Sequence, residues 1–335
     1  MIKDQIDFLA VGDVVTEPFI RIKDAAVHCK IDTEACELCL RFGDKVPYES
    51  AEVIRAVGNS ANAAVAAARL GLNSYLMSYI GDDAVGRGNL EELIKNKVHT
   101  DLITTVAGMP SNYHYVLWYD VERTILVQHT EFPYAFPVDL LEPKWMYLSS
   151  LAENSEDYHR QIAEYLRAHP SVKLAFQPGT FQIKLGTEKL KDIYRRTDVF
   201  FCNADEARRI LKTEEKDFVK LMRGLATLGP KIVCVTDSIN GAYAYDGNSL
   251  ADEAWFIPAY PHEPFERTGA GDAFSSTFTS ALVLGKTVSE ALTWGPINAM
   301  SVVQEVGAQK GLLSKEKLEE YLVNAPKDYK IRKIN

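Results

Sequence analysis

The chain has 335 residues, 47% of them hydrophobic, 25% charged and 10% aromatic, which excludes a disordered or fibrous protein. Its 46 acidic against 37 basic side chains give a formal net charge of −9, a field that repels nucleic acid and anionic lipid. No run approaches the roughly 18 apolar residues of a membrane span, and MIKDQIDFLAVGD lacks the pattern of a signal peptide, so neither membrane nor nucleic-acid partners are expected.

Residues 6–13 read as a buried strand ending in Gly12-Asp13. From there to about residue 50 the pattern alternates, as in Phe19-Ile20-Arg21-Ile22 and Leu38-Cys39-Leu40-Arg41-Phe42, which predicts half-exposed strands. An Ala-rich helix is expected from Gly58 to Leu70 with a stop at Gly71. A strand over 74–80, a helix over 84–96 and two strands over 113–119 and 124–130 follow. From Trp145 onward, strands at 145–149, 172–176, 198–202 and 231–235 alternate with helices at 156–168, 187–196, 203–212 and 215–228. That rhythm is the mark of βαβ units and a parallel sheet covered on both faces. A hairpin near 242–245 and 254–257 precedes a long helical C-terminal third.

The fold expected is α/β, a doubly wound, mostly parallel sheet forming a single domain over 1–335, with small lid strands inserted at about 14–45 and 110–132. Ligands in open α/β sheets bind outside the carboxyl ends of the strands, so a small sheet there would cover the site; the plainer reading is a sheet extension. Five cysteines, an odd number, point to reduced thiols in a cytoplasmic protein. Cys202 and Cys234 fall in apolar strands and read as core. His28, Cys29, Cys36 and Cys39 are a conceivable zinc set, but their spacing is irregular and no zinc is assigned.

The most informative segment is Glu266-Arg267-Thr268-Gly269-Ala270-Gly271-Asp272-Ala273-Phe274, small residues leading into an apolar, hydroxyl-rich helix over about 271–285. Small residues let the amides at a helix start converge on one anionic oxygen, aided by the helix dipole. Asp272, in the first turn, can take a proton from a hydroxyl while those amides stabilise a transferring phosphoryl group. An N-terminal carboxylate that merely complements the dipole explains the spacing equally well.

Here the sequence resembles the ribokinase family, the PfkB-type carbohydrate kinases, along nearly its whole length. Four motifs carry the resemblance, in the family's order: Gly58-Asn59-Ser60-Ala61-Asn62, Gly81-Asp82-Asp83-Ala84-Val85-Gly86, Asn203-Ala204-Asp205-Glu206, and Thr268 to Asp272. The resemblance implies an ATP- and Mg2+-dependent kinase with Asp272 as catalytic base and Gly269, Ala270 and Gly271 as the anion hole. It implies that Glu206, with Asn203, places magnesium, and that Thr236, Gly241 and Asn298 lie at the nucleotide. Asp13, Gly58 and Asn62 would face the phosphoryl acceptor. Taken alone, Asn203 and Glu206 read as a helix-capping pair. Phosphoryl transfer needs an anion hole, a metal and a hydroxyl orienter, and the sequence offers one of each. It has no GxxxxGK[ST] loop, no HRD and DFG set, and no GxSxG elbow, which excludes P-loop kinases, protein kinases and α/β-hydrolases.

Three departures from the family pattern bear on the substrate. Glu266-Arg267 stands where many relatives have Asp-Thr near a monovalent cation, and a fixed guanidinium there would lessen any need for potassium. Val57 replaces the first of two glycines. Glu17 and Val15 replace an aspartate and an asparagine of sugar-binding relatives; losing such a partner costs about 1–3 kcal/mol and points away from ribose itself. The lid aromatics, Tyr113, Tyr115, Trp118, Tyr119, Phe132, Tyr134 and Phe136, are sheet core, a homodimer contact or a stacking surface. The expected reaction is transfer of the γ-phosphate of ATP to a hydroxymethyl group of a small sugar or sugar derivative. A nucleoside kinase and a non-catalytic binding protein on the same fold are the alternatives.

Overall fold

The computed structural model describes residues 5–30, 35–120, 122–249, 252–263 and 265–334. The strand Phe8–Val11, buried at every position, lies between parallel neighbours Ser74–Gly81 and Trp145–Leu148. Lys173–Phe176, Val199–Asn203 and Ile232–Thr236 extend the sheet in parallel on one side, and Ile103–Val106 on the other. The hairpin Ala242–Asp246 and Glu253–Ile257, then Arg332–Ile334, complete ten strands in antiparallel order. Uninterrupted apolar runs such as FLAV and IVCVT suit strands buried on both faces.

Alternation along the first strand divides the core. Phe8 and Ala10 pack with helices Asn59–Arg69, Ala270–Val283 and Val288–Val302, whereas Leu9 and Val11 pack with Glu156–Ala168 and Phe218–Ala226. The doubly wound, mostly parallel sheet is therefore as expected. The helix Ala270–Val283 is buried despite its hydroxyls because Ser276, Thr279 and Ser280 each donate to a carbonyl one turn back.

A second sheet of four strands runs in the order Tyr48–Val57, Val15–Ile22, Tyr115–Tyr119, Glu122–Leu126. Val15–Ile22 leaves the carboxyl end of the first core strand, and Tyr48–Val57 returns directly into helix Asn59–Arg69. The small sheet is thereby anchored at the end of the core sheet where open α/β folds bind ligands. The strands expected before residue 42 divide between two sheets: Val15–Ile22 pairs with Tyr48–Val57 and Tyr115–Tyr119, while Ala26–Lys30 and Ala35–Cys39 form a separate ribbon.

That ribbon corrects the reading of the cysteines. Cys29 and Cys36 stand directly opposite each other, Cα atoms 4.0 Å apart, and are joined as a disulfide. Cys36 and Cys39, three apart on one strand, point to opposite faces and cannot ligate one ion. Cys39, Cys202 and Cys234 are free, the last two buried. Among the described residues no helix is long and apolar enough to cross a membrane.

Candidate active site

Helix Ala270–Val283 begins beside the carboxyl ends of the central strands. Gly269 caps it at φ 81°, and a Cβ there would run into Ala308, so the turn requires glycine. The first bond of the helix runs from Ala273 N–H to Gly269 O, which leaves the amides of Ala270, Gly271 and Asp272 without an acceptor inside the helix. The positive end of the dipole thus opens into a cleft of about 680 Å³.

Asp272, only 9% exposed, stands at the base of this cleft and accepts three side-chain amides. Asn59 and Gln177 donate to Oδ1 at 2.7 and 3.0 Å, and Asn62 donates to Oδ2 at 2.8 Å. Burial raises the carboxyl above its ordinary range; the Asn62, Gln177 and Asn59 amides pull it back by favouring the charged form. Two of the amides are themselves held. Asn62 Oδ1 accepts Gln309 Nε2 at 3.0 Å, and Gln177 Oε1 accepts the Tyr147 hydroxyl and Ser275 Oγ. These bonds fix which end of each amide faces the carboxylate.

On one side of Asp272 the cleft wall holds Asn203, Glu206, Thr236 and Arg267. Asn203 and Glu206 form a reciprocal cap at helix Ala204–Leu211: Glu206 N donates to Asn203 Oδ1 at 2.8 Å and Asn203 N to Glu206 Oε2 at 2.9 Å. The capping reading is met, and the same two residues line the cleft. Burial raises the Glu206 carboxyl above its usual value, with the Asn203 amide opposing. A mainly apolar recess beyond includes Thr236, Gly241, Tyr260, His262, Phe274 and Met300. Asn298 does not join it. Fully buried, it donates to Thr277 Oγ1 at 2.7 Å and accepts Leu313 N–H at 2.9 Å, binding helix to helix behind the wall.

On the other side lie Asp13, Glu17, Gly58 and Asn59. Gly58 has φ 103°, and an added Cβ would sit 3.0 Å from Asp13 O, which explains glycine at that junction. Asp13, 3% exposed, accepts the Tyr134 hydroxyl at 2.7 Å. The small sheet contributes Glu17, Arg123 and Ile125 to the cleft. Arg267, expected beside Glu266, instead reaches Glu122 at 2.9 Å, while Arg123 Nε lies 3.9 Å from the buried Glu266. Trp118 and Phe132 are buried and Tyr115 is 45% exposed; among the described residues none of the seven aromatics lines either side of the cleft around Asp272.

Sequence reasoning missed Gln177, Gln309, Arg123 and the histidines His114 and His129, both on the wall shared with Asp13 and Gly58. Gln177 follows the strand Lys173–Phe176 directly, so the rule that strand ends bear ligands was the available signal.

A model of the pfkB family of carbohydrate kinases matches residues 24–315. The ribokinase of Bacillus subtilis is 27% identical over 270 residues, covering 79% of this chain and 87% of its own length. The nucleoside kinase of Methanothermobacter thermautotrophicus is 24% identical over 260 residues, 76% and 80% of the two chains. Among solved structures, Arabidopsis thaliana ribokinase complexed with ribose and ATP superposes with a TM-score of 0.77 at 19% identity, over 95% of this chain and 99% of that one.

Proposed function

Because the chain belongs to the pfkB family of carbohydrate kinases, we propose that it transfers the γ-phosphate of ATP to a hydroxymethyl group of a small sugar or sugar derivative, with Asp272 as general base. The observation that carries this reading is the junction at Asp272. Its carboxylate stands in the first turn of the helix whose free amides face the cleft, and three oriented amides fix its oxygens between two arms of that cleft. A hydroxyl placed on Asp272 gives up its proton as it attacks in line. The amides of Ala270 and Gly271 then stabilise charge on the transferring group. The apolar recess around Tyr260, Phe274 and Met300 suits an adenine ring.

The donor set suits magnesium. Glu206 offers a hard oxygen ligand on the cleft wall, with Asn203 beside it, and magnesium takes one or two carboxylates while keeping its waters. Bound there it would neutralise charge on the nucleotide phosphates. The small sheet acts as a lid that excludes water which would otherwise hydrolyse ATP. Val53, Tyr115 and Leu126 on that sheet are each at least 45% exposed, which supports a homodimer joined through the lid.

ADP release from ATP and magnesium, measured over a panel of sugars, sugar acids and nucleosides, tests the reading. Each acceptor is run beside Asp272→Asn. A sugar-dependent rate abolished in the variant is expected. A rate confined to nucleosides would establish the nucleoside kinase, the activity named for the Methanothermobacter relative. Acceptor binding with no turnover in either protein would sink the kinase reading.

A further inference from the structure

The acceptor-side arm of the cleft has a feature that the proposed chemistry does not use. Asp13, Glu17, His114 and His129 line it together with Asn59 and Phe181, and no Lys or Arg is among its described lining residues. His114 and His129 come from segments flanking the two strands of the Tyr115–Leu126 hairpin. Each imidazole is set against a carboxylate: His114 Nδ1 lies 3.5 Å from Glu17 Oε1, and His129 Nδ1 lies 3.2 Å from Asp13 Oδ2. The two rings are neighbours, centroids 4.9 Å apart.

All four groups are shut away from bulk water, with side-chain exposures of 10% and 11% for His114 and Glu17, and 12% and 2% for His129 and Asp13. Yet three of their polar atoms, Asp13 Oδ2, His129 Nδ1 and His114 Nε2, have no hydrogen-bond partner. Asp13 and His129 are close enough to attract but are not aligned as donor and acceptor. Buried polar atoms are ordinarily satisfied, so three unsatisfied ones gathered on a cavity wall mark a place where a ligand completes them. A hydroxyl group both donates and accepts, so it can donate to Asp13 Oδ2 while accepting from His129 Nδ1. A second hydroxyl can do the same for the unmet His114 Nε2. A carboxylate or phosphate in this arm would instead face Asp13 and Glu17, with no guanidinium or ammonium among the arm's described lining residues.

We infer that His114 and His129, paired with Glu17 and Asp13, determine acceptor specificity by binding neighbouring hydroxyls of an uncharged polyhydroxylated acceptor and rejecting anionic ones. This rests on the kinase reading above and narrows its substrate class. The shared chemistry is found in a free sugar and in the ribose of a nucleoside.

The test compares wild-type enzyme with His129→Phe and with His129→Asn, which restores a donor near Nδ1. Acceptors are free pentoses and hexoses, their aldonic acids, sugar phosphates, and nucleosides. Wild-type kcat/KM is expected to favour a neutral acceptor over the anionic ones by at least about tenfold, and the neutral panel tells sugar from nucleoside. His129→Phe should raise acceptor KM about tenfold and leave the KM for ATP unchanged, with His129→Asn recovering most of the loss. A better anionic acceptor overturns the inference while leaving the kinase reading intact. So does a variant that moves both KM values together, or neither. If wild type phosphorylates nothing, the kinase reading fails, and calorimetric titration of the neutral compounds decides the rest: binding lost in His129→Phe upholds the role of the pair, and equal or absent binding overturns it. Thermal melts of each variant control for folding.

Discussion

Asn62 donates its side-chain amide to Asp272 Oδ2 over 2.8 Å, joining positions 210 residues apart. The contact is possible because five of the eight buried residues of helix Asn59–Arg69 are alanine, which lets it pack closely against helix Ala270–Val283. An amide N–H favours the charged carboxylate, the form a general base must have.

Replacing Asp272 by asparagine should therefore cost between about 10² and 10⁴ in kcat, with nucleotide binding retained. Asn62→Leu keeps the base but removes one donor from an already buried carboxyl. Its acid limb in the pH profile of kcat/KM should move to higher pH than that of wild type. An unmoved limb would mean that Asp272 is not the group titrating in that profile.

Gln177 provides an independent check on the same carboxylate. Tyr147 and Ser275 hold its carbonyl oxygen, so its Nε2 must face Asp272 Oδ1 at 3.0 Å. Gln177→Glu sets a second carboxylate where the donor was, and like charges resist joint ionisation. The acid limb should again move upward, and further than in Asn62→Leu, because a favourable contact becomes a repulsive one. Activity at neutral pH should recover as the pH is raised. A loss that persists at all pH values would point to misplacement of Asp272 instead.

The parts of this site legible in the sequence are contiguous ones. Gly269 to Asp272 must be adjacent because a helix start supplies the amides and the carboxylate together. The alternation of buried strands and helices after Trp145 was equally readable, since each element is long enough to show its period. Gln177, Gln309, His114 and His129 were not, because each sits in locally ordinary sequence and meets its partner (Asp272, Asn62, Glu17 and Asp13 respectively) only through the fold. Asn62 shows the intermediate case. The family resemblance assigns it to the acceptor, whereas its amide is engaged by Asp272 on one end and Gln309 on the other. Strands Ile103–Val106 and Arg332–Ile334 escaped because three or four residues show no period. Tyr48–Val57 escaped for another reason: it is exposed along most of its length, so no buried face repeats.

The guanidinium beside Glu266 sets an expectation for cation dependence. Glu266, 1% exposed, accepts Thr268 N–H at 2.8 Å and the Thr268 hydroxyl at 2.5 Å, and Arg123 is the cation that reaches it. Arg267 is turned to Glu122, so the fixed charge assigned to it from the sequence belongs to Arg123 in the fold. Exchanging potassium for tetramethylammonium should change kcat by less than about fivefold, the scale of a weak ion pair. Arg123→Ala should both slow the enzyme and make it respond to potassium. Strong potassium activation of the wild type would show that the guanidinium does not take the cation's place.

His159, 2% exposed, is within electrostatic reach of Asp13, and its titration is linked to stability. Burial drives its imidazole down from the ordinary 6.5 to about 4, with the Ser155 carbonyl and Asp13 opposing only in part. Nδ1 is 2.7 Å from the Ser155 carbonyl, which can only accept, so the native ring is neutral with its proton on Nδ1. The unfolded chain takes up a proton near pH 6.5 while the folded one resists until about 4. Between those values the unfolded state binds more protons, so the contribution is complete above pH 6.5 and falls away as the pH drops. At pH 5 the loss is about 2 kcal/mol. His159→Gln cannot titrate, so it lacks this slope whatever it costs in packing. Denaturant unfolding of both proteins at pH 7.5 and pH 5 isolates the effect, because every other titrating group cancels in the difference between them. Wild type should lose about 2 kcal/mol more than the variant on acidification. Equal losses would mean that the native ring accepts its proton as readily as the unfolded one.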